Sequence, residues 1–167
     1  MRVTDNYVLF FRHTIFGNWV HVPSGIMLPL ENNRTVSLPT SEHVFMALKA
    51  QYFKDYETLE KIIFEPNAKV AKRLGRQVKG FSEEAWEKYR EEAMKTAISL
   101  RAVYDKKFKA ELLRPDYDGK TFVECNPNDY IWGCGLEEDD FTEDQPWKGL
   151  NLLGKLLTDL RNYLKNG

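Results

Sequence analysis

Disulfides are the first thing this sequence cannot rely on. Two cysteines, Cys125 and Cys134, are too few to staple 167 residues, so a reducing, cytoplasmic setting is the expectation. They form no CxxC pair, and His13, His21 and His43 fall at no zinc-ligand spacing, so no metal is expected. No apolar run approaches the ~18–20 residues of a membrane span, and no signal-peptide pattern opens the chain. Neither membrane insertion nor export is therefore expected. An excess of one charge is missing too: 24 Lys/Arg against 25 Asp/Glu leave −1. That balance excludes a polycation that holds nucleic acid by bulk charge. Neither a phosphate-loop signature nor a dinucleotide fingerprint occurs, so no organic cofactor is implied.

What is present suits a folded core. The chain is 43% hydrophobic and 29% charged, with no internal repeat, no low-complexity tract and no stretch that reads as a linker. Residues 1–167 are expected to form one domain. The balanced charge hides a gradient: +1 over residues 1–50, +4 over 51–114 and −6 over 115–167. Local patches are thus expected rather than a uniform field.

Tyr7–Phe11, Trp19–Val22 and Thr35–Leu38 read as strands. After Pro39, Thr40 or Ser41 can cap a helix through about Phe53, with Val44, Phe45, Leu48 and Tyr52 on its core face. Further helices are expected over Asp55–Phe64, from Asn67 to about Lys79, and after Ser82. The last carries Trp86, Tyr89, Ala93, Ala97 and Leu100 on one stripe and continues past Tyr104 with a break. A strand over Thr121–Cys125, a polar loop over 126–148 and a helix from Leu150 to about Leu164 close the chain. Leu150, Leu153, Leu157, Leu160 and Leu164 are its inward positions. Strands first, helices after and one late strand give a helix-rich α+β fold with a small sheet.

Three constellations could carry chemistry. Glu42 and Lys49, seven residues apart, fall within ~20° of one helix face, where a carboxylate and an ammonium could transfer protons or hold a polar ligand. The plainer reading of Glu42 is a first-turn acid that complements the helix dipole. Lys69, Lys72, Arg73, Arg76 and Lys79 share an arc of ~120°, suited to phosphates or simply to solvent. Gly75 inside that stretch points to a close approach by backbone or ligand, or to an early helix end. The third is the loop Glu124 to Gly135, where Asp129 and Trp132 could serve a ligand, or cap a turn and join the core. The acidic run from Glu137 to Asp144 reads as a solvated loop.

In combination these pieces resemble the YbiA-like family, also called NADAR (NAD- and ADP-ribose-associated), from about Phe10 to Leu164. The matching residues are Glu42-His43 with Phe45, Ala47 and Lys49; Gly75-Arg76; Trp86; Met94; Glu124 with Asp129 and Trp132-Gly133-x-Gly135; and Gly149-x-Asn151-x-Leu153-Gly154 ending near Arg161. The resemblance implies an N-glycosidase that cuts between a nitrogen and a ribose bearing phosphate. Its substrate would be ADP-ribosylated guanine in a nucleotide or nucleic acid, or a phosphorylated riboflavin intermediate. A non-catalytic ADP-ribose-binding module is the other reading, and a toxin–antitoxin or phage–host context is implied for the partners. The motif acids fall on Glu42 and Asp129 and the motif lysine on Lys49, which would hold ribose hydroxyls or form a Schiff base with the opened sugar. Trp86 or Trp132 would stack on the base, Arg76 would take phosphate, and Gly133, Asn18 and Asn151 complete the implied binding set. The chain departs from the family at Gly17-Asn18-Trp19, where a Ser often precedes the Asn, and at Ala50, where an aromatic usually stands. Arg101-Ala102 is the nearest counterpart of a Lys-Phe pair after Met94. These differences fall where they could reshape the base pocket.

Overall fold

Four side chains start four helices. Thr40, Asp55, Asn67 and Ser82 each accept a hydrogen bond from a first-turn amide, a contribution of ~1 kcal/mol per cap. The computed structural model describes residues 1–167. In chain order its elements are β1 (Arg2–Val3), β2 (Tyr7–Phe10), β3 (Ile26–Pro29), β4 (Thr35–Leu38), α1 (Ser41–Tyr52), α2 (Tyr56–Phe64), α3 (Ala68–Arg76), α4 (Glu83–Tyr104), α5 (Lys106–Leu112), β5 (Thr121–Glu124) and α6 (Leu152–Asn166). A 3₁₀ turn at Pro115–Tyr117 precedes β5. The fold is α+β and helix-rich. The chain divides into two compact units, His21–Lys106 and the two flanking stretches Met1–Val20 with Lys107–Gly167.

In the unit formed by the flanking stretches, β1, β2 and β5 make one sheet. β2 and β5 run parallel with Phe10 opposite Glu124, and β1 is antiparallel to β2. Phe16 lies edge-on to Phe10, Phe108, Tyr117 and Phe122 at 5.0–6.2 Å, an aromatic core of the kind that quadrupoles favour. α6 packs on β5 through an apolar stripe that begins later than expected. Leu153, Leu157 and Leu160 are buried, whereas Leu150 is exposed and Leu164 only partly covered. Asn151, with φ of 53°, sets this start. Its Oδ1 accepts from Glu124 N at 3.0 Å and its Nδ2 donates to the Phe122 carbonyl at 3.0 Å. Leu150 is thereby left outside the helix. The acidic loop is not only solvated, since Glu143 accepts from Thr4 Oγ1 and Asn6 Nδ2.

In the unit His21–Lys106, β3 and β4 form a hairpin, with Ile26 opposite Leu38. The expected strand Trp19–Val22 is absent. A turn follows instead, in which Gly25 N donates to the Val22 carbonyl and Gly25 has φ of 73°. The strand partner of β4 is β3, which the Pro-rich local sequence masked. α1 packs against α2, α3 and α4 and is buried on nearly every side. The expected core face is therefore not a distinct stripe, and Tyr52, one of its expected members, is the exposed position. α3 ends at Arg76, not Lys79, and Lys79 N instead donates to Asp55 Oδ2 at 2.8 Å. The close neighbour of Gly75 is the Met46 side chain, against which any Cβ would collide.

Asn151→Ala leaves Glu124 N and the Phe122 carbonyl without these partners, at ~1–3 kcal/mol for each buried group. Urea unfolding should show a loss of about 3 kcal/mol for this variant, and a loss under 1 kcal/mol would contradict the bracing role.

Candidate active site

The Glu42 side chain is 6% exposed, and its helix begins Thr40-Ser41-Glu42-His43, four residues that are all buried. Burial of a carboxylate is costly unless its surroundings compensate, so the rigidity of this turn matters. His43 supplies it. Its Nδ1 lies 2.7 Å from Thr40 Oγ1 and its Nε2 2.5 Å from the Glu65 carbonyl, an acceptor that fixes the proton on Nε2. The ring therefore ties the first turn of α1 to the end of α2. Burial lowers the His43 pKa, and the smaller influence of His21 acts in the same direction. The Glu65 carbonyl and side chain oppose them.

Lys49 stands half-buried two turns along α1. Its Nζ lies 4.6 Å from the Phe81 ring centroid and 5.5 Å from that of Trp86, a cation–π setting. Burial lowers its pKa. Glu83 and Glu42 pull it back up and Arg76 pushes it further down. The structure thus gathers Glu42, Lys49, Arg76 and Trp86 within one unit. Trp86 is 7% exposed and packs on Phe45, Phe53 and Tyr89. Its ring is an inner wall with little face left for a base. Phe81 and Glu83 went unread in the sequence. Their only signal was their position around Ser82, the cap of α4. The basic face of α3 is real, with Lys69, Arg73 and Arg76 exposed.

The other unit carries Asp129, Trp132, Gly133, Asn18 and Asn151. Asp129 Oδ1 accepts from Ile131 N at 3.0 Å and Trp132 N at 2.8 Å, so one carboxylate oxygen caps the turn. Trp132 is half-buried. A Cβ on Gly133 would sit tightly, 3.0 and 3.1 Å from the Asp129 and Glu124 carbonyls. That closeness is internal packing, not space for a ligand. Asn18 is 9% exposed. Asn151, fully buried with both ends of its amide on β5, holds the fold and has no exposed atom to offer a substrate. No group of His, Cys, Asp and Glu side chains is arranged to hold a metal ion, and no helix is long and apolar enough to cross a membrane.

The NADAR domain family model matches residues 9–165. This chain belongs to the NADAR family. N-glycosidase R617 of Acanthamoeba polyphaga mimivirus is 30% identical, over 95% of this chain and 96% of its own length. N-glycosidase YbiA of Escherichia coli is 34% identical over 75% of this chain and 70% of its own. The NMR structure of E. coli YbiA superposes with a TM-score of 0.71 at 27% identity, covering 99% of this chain and 88% of that one. The chloroplastic riboflavin biosynthesis protein PYRR of Zea mays is 30% identical over 95% of this chain, but this chain spans only 25% of it. This NADAR chain thus shares its fold with proteins named as N-glycosidases.

Two titrations check the site's electrostatics. Arg76→Gln should raise the Lys49 pKa and Glu83→Gln should lower it, followed by NMR of the Lys49 Cε–Nζ group. Movement in the opposite directions would refute the arrangement. His43 remains neutral in the folded chain where an unfolded histidine gains its proton near pH 6.5. Its contribution is complete above that pH and is lost as pH falls from about 6.5 toward the lowered folded value. His43→Gln should flatten the decline in urea midpoint between about pH 6.5 and 5, and an unchanged slope would exclude His43 as its source.

Proposed function

We propose that this NADAR protein is an N-glycosidase that removes ADP-ribose from ADP-ribosylated guanine. The observation that carries the reading is the buried Glu42 carboxylate on a braced helical turn, with a lowered-pKa lysine on the same helix. Breaking the bond leaves positive charge at the anomeric carbon and electrons on the departing nitrogen, so the reaction calls for a carboxylate and a proton donor. In this reading Glu42 faces the developing oxocarbenium, and Asp129, in the other unit, is a second candidate acid–base residue through the oxygen that its turn does not use. The lowered Lys49 pKa favours an amine that adds to the anomeric carbon as the base nitrogen leaves. Breaking the ring C1–O4′ bond then gives an imine, which water hydrolyses to release ADP-ribose and the free lysine. Arg76 and the basic α3 face favour a phosphate-rich substrate, nucleotide or nucleic acid. Trp132, with its ring half-buried, suits base stacking better than the enclosed Trp86 does. The similarity to the maize riboflavin protein supports a second reading, cleavage of a phosphorylated riboflavin intermediate.

The test offers both substrates to wild-type protein, Glu42→Gln and Asp129→Asn, with products read by mass spectrometry. Asn at position 129 keeps the Oδ1 cap and removes the charge. Both variants should lose about 10²–10⁴-fold in kcat with KM little changed. Borohydride added during turnover should leave a sugar adduct on Lys49. Cleavage of the riboflavin intermediate alone would replace the substrate assignment, and wild-type kcat in Glu42→Gln would overturn the catalytic one. Silence on both substrates with ADP-ribose binding intact would make the protein a binding module.

A further inference from the structure

Arg12 has no place in the site described above, yet it is held like a functional group. It follows β2 by two residues. Because β2 and β5 are parallel and Phe10 lies opposite Glu124, Phe11–Arg12 and Cys125–Asn126 leave the sheet at the same end. Cys125 N donates to the Phe10 carbonyl at 2.7 Å there. The loop that carries Asp129 and Trp132 starts at that end, the carboxyl end of a parallel pair, where ligands commonly bind.

The guanidinium carbon of Arg12 lies 4.9 Å from the Trp19 ring centroid and 5.1 Å from that of Phe11. Two rings therefore constrain its position. No carboxylate pairs with it, and its one hydrogen bond runs from Nε to His13 Nε2 at 3.4 Å. Both Nη groups remain available on a half-exposed side chain. The loop beneath is closed by Thr14 N to the Phe11 carbonyl and Gly17 N to the Thr14 carbonyl, each 2.9 Å. A Cβ on Gly17 would collide with the Arg12 carbonyl. Gly17 and Arg12 therefore act together, the glycine letting the chain fold back and the fold setting the guanidinium against Trp19.

We propose that Arg12 is a phosphate-binding residue that determines specificity, taking the phosphate ester of the substrate's ribose through its free Nη edge, with Gly17 as its positioning residue. The proposal rests on the N-glycosidase reading and adds to it a phosphate-binding cation in the unit that carries Asp129 and Trp132. A planar fork without a carboxylate partner matches two phosphate oxygens. Stacking on Trp19 lowers the entropy lost on binding.

The test is calorimetric titration of the full chain with ribose 5-phosphate, ADP-ribose and unphosphorylated ribose. Arg12→Gln should weaken both phosphorylated ligands by about 10- to 100-fold. Arg12→Lys, which keeps the charge without the fork, should recover part of that loss, a recovery that a purely structural role would not give. Gly17→Ser should weaken the same ligands while leaving the ribose titration as in wild type. A stronger effect on ribose 5-phosphate identifies a monophosphate as the bound group, and one on ADP-ribose identifies the pyrophosphate. Arg12→Gln within twofold of wild type, or no phosphate-dependent binding by wild type, would overturn the proposal. Arg12-dependent binding with no cleavage of either glycoside would preserve it and sink the enzyme reading. Cleavage with KM unchanged in Arg12→Gln would do the reverse.

Discussion

The imidazole of His43 is the brace on which the site in the unit His21–Lys106 depends. A neutral ring bonded on one side to the cap of α1 and on the other to the last carbonyl after α2 fixes the turn that carries Glu42. Such a buried polar network is stabilising only if each member is satisfied. Here each ring nitrogen has a partner, and the backbone of the turn that carries Glu42 is held from both sides. Binding and catalytic groups need this pre-organisation more than they need net stability.

The same device recurs in the other unit with different residues. Asn151 sits in a left-handed conformation and bonds both ends of its amide to β5. That bond set fixes where α6 starts and where the Cys125–Leu150 loop must return. Within the loop, Asp129 spends one oxygen on its own turn, accepting from Ile131 N and Trp132 N. In both units a motif residue, His43 in one and Asn151 in the other, proves to be a support for the backbone around it.

Much of the fold was legible because its signals are local. Thr40, Asp55, Asn67 and Ser82 announce helix starts through short-range hydrogen bonds, and all four begin helices where expected. The strand over Trp19–Val22 failed because its β-prone residues are held otherwise: Trp19 lies under Arg12, and Val22 opens a turn. Leu150 failed because helical periodicity cannot see a positive φ at Asn151. In the site, Glu42 and Lys49 were visible as a pair by spacing. Phe81 and Glu83 were not, since tertiary contact brings them to Lys49 and no periodicity records it. Asn151 was visible as a motif residue, but only its bonds show that it serves the backbone.

In the proposed reaction the buried Glu42 carboxylate lies at the bond to be broken. A crystal structure of Glu42→Gln with uncleaved ADP-ribosylated guanosine tests this placement. The anomeric carbon should lie within about 3–3.5 Å of the residue-42 side chain. A substrate bound with that carbon well beyond reach of position 42 would contradict it.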